Sequence, residues 1–272
     1  MAADLTGIDI AFIDSHVHLD HLYRHQPERI GWMRKKKCFP ISWSFALQAG
    51  SVSELRNYLK SKADTMRELD RCQLPCRFLA GIHPRNMVSG LKPESVRDLL
   101  MPYLEMDLCL GVGEIGLETA STQEIEVLHA HLELRREVAE LDKVFGIHTP
   151  RRNKSAVTRQ TLDLLKPCKD YGDRIVVDHC MPETISEVLS AGFWAGVTLS
   201  PAKAGDSDMK TIIDHHAPDL SGIMVNTDSG AGFFEDLFQF AQAPAIDMET
   251  RRGLTRFNAA RFFRLTGVAL EV

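Results

Sequence analysis

The chain of 272 residues is too long for a small disulfide-stapled domain and has the length of a single α/β barrel. Apolar residues make up 44% of it and charged residues 25%, which excludes a largely disordered chain. The formal net charge of −5 excludes proteins that hold nucleic acid through bulk positive charge. We therefore expect no stable nucleic-acid partner.

The cysteine content and the N-terminal segment bear on location. Six cysteines are too few for a disulfide scaffold, and the closest pair, Cys72 and Cys76, lacks the CxxC spacing. Asp4 and Asp9 stand where a secretory signal would carry lysine or arginine. No apolar run approaches the ~18 residues that cross a bilayer. These observations predict a cytoplasmic protein without a membrane partner, and they leave its oligomeric state open.

Eight apolar runs in chain order predict eight strands. They are Phe12–His18, Ile41–Leu47, Arg77–His83, Leu108–Glu114, Val144–His148, Ile175–His179, Phe193–Leu199 and Met224–Asp228. Helical patterns lie between them, and Ser51 with Glu54 and Ser121 with Glu124 form capping boxes at two helix starts. Alternating strands and helices predict parallel pairing, and eight such units predict a (β/α)8 TIM-like barrel as a single domain over residues 1–272.

Residues able to carry chemistry follow these strands at nearly constant intervals. They are His16, His18, His83, Glu114, His148, His179 and Asp228. The steps from His83 to Glu114, to His148 and to His179 are 31, 34 and 31 residues, each about one βα unit. Because the carboxyl ends of all barrel strands meet at one mouth, we expect these side chains to converge there.

This set of side chains indicates metal binding. His16 and His18 are two residues apart on a strand and therefore share a face. A lone strand histidine is more often a satisfied polar group, but five imidazoles and two carboxylates exceed the needs of one tetrahedral ion. Two ions can share a bridging carboxylate and a bridging water, and they lower the pKa of that water so that hydroxide forms. We expect two divalent ions, Zn²⁺, Mn²⁺ or Mg²⁺, with imidazole disfavouring Mg²⁺.

Seven segments resemble the TatD family of metal-dependent hydrolases, which belongs to the amidohydrolase superfamily. They are IDSHVHLD (Ile13–Asp20), GIHP (Gly81–Pro84), GEIGLE (Gly113–Glu118), HTP with the basic residues that follow (His148–Lys154), DHC (Asp178–Cys180), TDS (Thr227–Ser229) and NAARFF (Asn258–Phe263). The resemblance covers almost the whole chain in order. It implies a TIM-like barrel, two divalent ions and phosphodiester hydrolysis, typically deoxyribonuclease activity.

The resemblance also implies a role for each motif residue. The first ion would bind His16, His18 and Asp228, the second would bind His148 and His179, and Glu114 would bridge the two. Asp228 would in addition take a proton from the water, and His83 would contact the substrate. The sequence departs from the family pattern at Glu118, where aspartate is usual, and at Gly230, where proline is usual.

Two basic clusters lie near predicted strand ends. Arg151, Arg152 and Lys154 follow His148 in a loop at the mouth, where cations could neutralise a substrate phosphate. A solvated loop explains them equally well. Arg34–Lys37 precedes a strand and therefore lies at the opposite rim, where a solvated face is the simpler interpretation.

Other polar residues have weaker assignments. Asp14 shares the inward face of His16 and is a candidate acceptor for an imidazole N–H. His129 and His131 lie two residues apart on a predicted helix and so on different faces, which makes them poor ligands. Trp43 and Trp194 are expected to pack in the barrel rather than line a pocket.

Three functions follow from this pattern. The first is a two-metal hydrolase of phosphodiesters that uses a metal-bridged hydroxide, with Asp228 as base and then acid and with Glu114 and His83 as further catalytic groups. The second is a hydrolase of the same superfamily that acts on a small lactone, amide or ester. The third is an inactive barrel that serves as a binding protein, which seven buried polar groups at one mouth disfavour.

Overall fold

The computed structural model describes residues 3–47, 49–72 and 74–268. Eight parallel strands pair in chain order in one sheet: β1 (Phe12–Val17), β2 (Cys38–Ser42), β3 (Arg77–Ala80), β4 (Cys109–Gly116), β5 (Val144–His148), β6 (Ile175–Val177), β7 (Trp194–Thr198) and β8 (Ile223–Asn226). The sheet nearly closes where β1 meets β8, because Asp228 N donates to His16 O at 2.9 Å and His18 N donates to Ser229 O at 2.7 Å. The predicted barrel is thus confirmed.

Helices alternate with these strands. They are α1 (Leu19–His25), α2 (Glu28–Lys35), α3 (Val52–Cys72), α4 (Ser95–Leu104), α5 (Thr122–Leu132), α6 (Arg135–Glu140), α7 (Lys154–Leu165), α8 (Pro182–Ser190), α9 (Asp206–His216), α10 (Asp236–Ala241), α11 (Met248–Arg252) and α12 (Asn258–Phe262). The side chains of Ser51 and Ser121 accept from the N–H groups of Glu54 and Glu124, so both predicted caps form. Among the described residues, no helix has the length and apolar content of a bilayer span.

The core forms two layers because successive strand residues point to opposite faces. On β8, Ile223 and Val225 pack outward against the helices, whereas Met224 packs inside the barrel. Phe262 and Phe263 pack into the same inner cluster. The inner core is therefore closed by the C-terminal segment at one end, which leaves the other end for polar side chains.

The second strand differs from its prediction, since it spans Cys38–Ser42 rather than Ile41–Leu47. The alternating run after Ser42 resembles a strand, but side chains bind its backbone in place of a neighbouring strand. Phe45 N donates to the Tyr58 hydroxyl and Leu47 N donates to Asn86 Oδ1, both at 2.6 Å. This segment therefore forms an irregular wall above the barrel.

Three further strands end two or three residues earlier than predicted, and the first of them, β3, stops at Ala80 rather than at His83. Strand β6 stops at Val177 and β8 stops at Asn226, and the functional candidates His179 and Asp228 follow with left-handed φ values of 62° and 53°. Such backbone costs a non-glycine residue about 1–2 kcal/mol. Both side chains line the cavity described below.

Candidate metal centre

A cavity of about 380 Å³ opens at the carboxyl ends of the strands. Its lining includes all of the predicted ligands except His16, which is fully buried beneath it. Phe45 and Phe234 add apolar surface, and Arg85, Arg151 and Arg152 add positive charge. This volume suits a small molecule or one segment of a longer one.

Glu114 lies at the centre of the ligand set, and its two oxygens face different histidines. Oε1 lies 2.5 Å from His148 Nδ1 and 3.2 Å from His179 Nε2. Oε2 lies 3.3 Å from His16 Nε2 and 3.8 Å from His18 Nε2. The carboxylate therefore separates two groups of nitrogen donors.

Asp228 completes the group around His16 and His18. Its Oδ1 lies 2.8 Å from His18 Nε2 and 3.5 Å from His16 Nε2. One potential ligand atom from each of His16, His18, Glu114 and Asp228 lies within 4.8 Å of all the others. The structure thus brings together the six residues that the sequence assigned as ligands.

Hydrogen bonds fix which ring nitrogen each of two histidines offers. His16 Nδ1 lies 2.5 Å from Asp178 Oδ2, and His18 Nδ1 lies 3.2 Å from Trp43 O. Both partners only accept, so each Nδ1 carries a proton, and each Nε2 is the nitrogen that can offer a lone pair to a metal once any proton on it is released. The Nε2 atoms of His16 and His18 face Glu114 and Asp228.

A longer series of hydrogen bonds fixes the position of the ring proton of His179 in the same way. Asn226 Nδ2 donates to Asp178 Oδ1 and Thr198 Oγ1 donates to Asn226 Oδ1, both at 2.8 Å. Thr198 Oγ1 is then free to accept from His179 Nδ1, also at 2.8 Å. His179 consequently directs the lone pair of Nε2 toward Glu114.

Two buried atoms in this set fit a metal ion because they have no hydrogen-bond partner. They are His16 Nε2 and Glu114 Oε2. Burial would lower the pKa of His16, but Glu114 and Asp178 raise it to about 10. Burial would likewise raise the pKa of Glu114, whereas His83, His16 and His148 hold it well below its usual value. A buried carboxylate surrounded by imidazoles suits a divalent cation, which displaces any proton that the ligating nitrogens carry.

His83 differs from the other four histidines of the site. Its Nδ1 accepts from the Arg85 N–H at 3.0 Å, so the ring proton lies on Nε2, 3.5 Å from Glu114 Oε1. Burial lowers the pKa of His83 to about 4, which keeps the ring neutral. His83 therefore faces the cavity with an N–H donor, as a substrate contact requires.

His131 is a satisfied core residue, in agreement with its low rank as a ligand. Its Nδ1 donates to Val127 O at 2.7 Å and its Nε2 accepts from Ile82 N at 3.2 Å. Burial lowers the pKa of His131 to about 4. The bond to Ile82 fixes the backbone next to His83, while His129 is exposed on the other face of α5.

Glu118 orients His148 from the outer side. Its Oε2 accepts from His148 Nε2 at 2.8 Å, which leaves His148 Nδ1 toward Glu114. The Glu124 carboxylate accepts from the backbone N–H groups of Glu118, Thr119 and Ala120, each at 2.9 Å. Thus Glu124 holds the loop that presents Glu118.

The three basic residues after β5 have different surroundings in the structure. Arg151 and Arg152 are exposed, line the cavity and form no ion pair within the described residues. Lys154 differs from its prediction, because its amino group donates to His179 O at 2.7 Å and to Thr149 Oγ1 at 3.1 Å and does not line the cavity. Lys154 is the first residue of α7, and these hydrogen bonds hold its side chain inward against the wall of the cavity.

Sequence reasoning missed two side chains in the site and misassigned a third. Asp178 and Lys203 contact His16 and His179, respectively. Asp14, the predicted acceptor for an imidazole, instead accepts from the Thr227 backbone and hydroxyl at 3.0 and 2.6 Å. The sequence signals for Asp178 were its place beside His179 and in the DHC segment, and Lys203 had none.

Two glycines allow the aromatic contacts of the site. A Cβ at Gly146 would lie 2.4 Å from Trp43, whose indole stacks on His16 with ring centroids 4.0 Å apart. A Cβ at Gly230 would lie 2.9 Å from His18 and 3.1 Å from Phe45. A proline at position 230, which is usual in the TatD pattern, would therefore clash with Phe45.

An eight-stranded parallel barrel with imidazole and carboxylate side chains at the carboxyl ends of its strands is the arrangement of metal-dependent barrel enzymes, among them hydrolases. A family model described as TatD related DNase matches residues 13–230, and the chain belongs to the TatD family. An uncharacterized metal-dependent hydrolase of Methanocaldococcus jannaschii is 25% identical over 126 residues. That match covers 46% of this chain and 48% of the relative, about half of its length.

Solved structures support the same fold. A TatD-like protein from Archaeoglobus fulgidus superposes with a TM-score of 0.70 at 26% identity, covering 93% of this chain and 100% of that chain. The 2,6-dihydroxybenzoate decarboxylase from Rhizobium reaches a TM-score of 0.61 at 14% identity, covering 93% and 98%. The second likeness concerns the fold alone, and it illustrates that this barrel does not set the reaction.

Proposed function

We propose that this protein hydrolyses phosphodiester bonds with two divalent ions at the barrel mouth. The proposal rests on the two carboxylate oxygens of Glu114, which face different histidines. Oε1 faces His148 and His179, and Oε2 faces His16 and His18. A carboxylate between two nitrogen groups suits two ions better than one. The first ion would be held by His16, His18 and Asp228, the second by His148 and His179, with Glu114 between them.

Zn²⁺ or Mn²⁺ at these positions, with Mg²⁺ less suited, would activate a water molecule and polarise the bond under attack. The protein supplies the proton acceptor. Asp228 is the more exposed of the two ligating carboxylates, at 20% against 2% for Glu114. Asp228 is therefore the carboxylate placed to take a proton from the attacking water, and it would return that proton to the leaving oxygen.

Positive charge around the cavity supports an anionic substrate. Arg151 and Arg152 have no ion-pair partner within the described residues, and Arg85 is 3.8 Å from Glu118. A phosphodiester is negatively charged throughout the reaction, so these guanidinium groups would bind it. The neutral His83 contributes its Nε2–H as a further donor to a phosphate oxygen. The description of the matching family as DNase-related supports the same bond type.

A small neutral ester or lactone is the second candidate. The cavity of about 380 Å³ and the apolar surface of Phe45 and Phe234 favour a compact substrate. Such a substrate needs no guanidinium partner. The two candidates therefore differ in their dependence on the mouth arginines.

A substrate panel tests the proposal. Protein freed of metal with a chelator and reloaded with Mn²⁺, Zn²⁺ or Mg²⁺ would be assayed on single-stranded DNA, bis-p-nitrophenyl phosphate and lactones. We expect metal-dependent hydrolysis of at least one phosphodiester and little turnover of lactones. Lactone turnover far above diester turnover would establish the second candidate instead.

A further inference from the structure

Lys203 enters the site from a strand end to which the sequence assigned no functional residue. It lies in a short return after β7, where Ala204 N donates to Thr198 O and Lys203 N donates to Ser200 O, both at 3.0 Å. Its side chain is 8% exposed and lines the cavity. The backbone bonds and the burial place its amino group at a defined point beside the ligands.

The Lys203 amino group contacts two of the ligating residues. Its Nζ lies 2.5 Å from Asp228 Oδ2, and it lies 2.8 and 3.2 Å from the two ring nitrogens of His179. The two carboxylate oxygens of Asp228 therefore face different partners, as those of Glu114 do. Oδ1 faces His18 and Oδ2 faces Lys203. The ion pair with Lys203 leaves Oδ1 available to a metal.

Once a metal is bound, His179 can no longer accept a hydrogen bond from Lys203. Its Nδ1 already carries the proton that it donates to Thr198, and its Nε2 lone pair would hold the ion. An ammonium group has three donors, and only one of them then has an acceptor, on Asp228. The remaining two N–H groups then have no acceptor among the described residues, and the Lys203 side chain lines the cavity.

Lys154 provides an internal contrast. Its amino group donates to three protein oxygens, on His179 and on the carbonyl and hydroxyl groups of Thr149. Lys203 contacts a single protein oxygen among the residues that the structure describes. A nearly buried ammonium with unused donors is costly unless a ligand completes its hydrogen bonds.

We propose that Lys203 is a further catalytic residue, which binds a non-bridging phosphate oxygen of the substrate while it remains paired with Asp228. The proposal rests on the proposed function and adds a cation that acts beside the metals rather than at the rim. Charge on the phosphate oxygens is largest as the ester bond breaks. A fixed ammonium close to those oxygens stabilises that state in a cavity from which water is partly excluded.

The test measures binding of inorganic phosphate to the metal-loaded protein by calorimetry, which needs no turnover. Lys203→Gln removes the charge and Lys203→Arg retains it. Lys210→Ala on α9 is the matched control because Lys210 is exposed and, within the described part of the chain, pairs with Asp214 alone. We expect the phosphate dissociation constant to rise about 10- to 100-fold in Lys203→Gln, as for loss of a charged hydrogen bond. Lys203→Arg should recover much of this loss, and Lys210→Ala should stay within about threefold of wild type by surface screening.

Metal content and thermal unfolding are measured on the same samples. Unchanged metal content with weakened phosphate binding supports the proposal. Unchanged phosphate affinity in Lys203→Gln overturns it, and so does a loss of metal or of folding that accounts for the weaker binding, because Lys203 would then only support its neighbours. Failure of the proposed function would appear separately, as absence of diester hydrolysis by wild type in the substrate panel.

Discussion

Two buried polar clusters lie side by side in this barrel, and they differ in how completely their atoms are paired. In the first, Lys62 Nζ donates to Asp20 Oδ1, Ser42 Oγ and Trp43 O at 2.8, 2.7 and 2.7 Å, which uses all three of its protons. In the second, His16 Nε2 and Glu114 Oε2 are buried without partners. The first cluster is complete as protein alone, and the second needs a cation.

Burial alone does not distinguish polar groups that stabilise the fold from polar groups that serve a function. The completeness of their hydrogen bonds does. Burial lowers the pKa of Lys62, and Asp20 opposes that shift. Lys62 also holds the Trp43 carbonyl that accepts from His18. The Lys62 cluster should therefore contribute to stability, and the Glu114 cluster should contribute to metal binding and catalysis.

Glu114→Gln should have the largest effect on function. The amide keeps the shape but removes the charge between the two nitrogen groups, so at least one metal position should lose occupancy. A bound ion contributes several kcal/mol to catalysis, and we expect hydrolysis to fall about 10³-fold or more. Elemental analysis and rate measurements check this. Full metal occupancy with near wild-type rates would show that Glu114 neither holds a metal nor takes part in hydrolysis.

Lys62→Met should have the opposite profile. It leaves the Asp20 carboxylate buried without its cation, which typically costs about 3–5 kcal/mol in the free energy of unfolding. Urea unfolding measures this loss, and adding Asp20→Asn should recover part of it. Metal content per folded chain should equal that of wild type. If Lys62→Met instead lost metal at unchanged stability, the contrast between the clusters would be wrong.

The double variant Arg151→Ala, Arg152→Ala should weaken phosphodiester turnover without touching either cluster. We expect kcat/KM for a diester to fall by roughly ten- to a thousandfold, about 1.4–4 kcal/mol, because the substrate loses its rim cations. Arg34→Ala, Lys35→Ala at the opposite rim is the matched control, since both residues are exposed. Equal diester activity of the two double variants would dismiss the arginines as a phosphate clamp.

His131→Gln should change the pH dependence of stability rather than function. The folded pKa of His131 is about 4, below the unfolded value near 6.5, so protonation favours the unfolded chain. Wild type should therefore lose about 2 kcal/mol through this residue between pH 7 and pH 5. The stability difference between wild type and His131→Gln should shrink by that amount over the same range. A constant difference would contradict a buried neutral imidazole.

The sequence predicted the barrel and the convergence of the candidate ligands at its mouth because both depend on regular spacing. Strands recur at one βα unit, and His83, Glu114, His148 and His179 occupy equivalent positions in successive units. Periodicity carries no information about irregular segments. The run after Ser42 was predicted as a strand because its alternation does not reveal that Tyr58 and Asn86 bind its backbone.

The supporting residues of the site could not be predicted for a related reason. Asp178 and Asp14 both lie near histidines in sequence, and only the turn after β6 decides that Asp178 accepts from His16. Lys203 lies five residues past the end of β7, and the return of the chain at Ala204 brings it back to Asp228. Long-range contacts of this kind depend on loop geometry rather than on local pattern.

Anomalous X-ray diffraction from crystals of the Zn²⁺-loaded protein tests the central claim most directly, because it locates ions without reference to activity. We expect two peaks on either side of the Glu114 carboxylate, one beside His16, His18 and Asp228 and one beside His148 and His179. His83 should contact neither peak. A single peak, or a peak coordinated by His83 Nε2, would contradict the assignment of the ligands and the donor role given to His83.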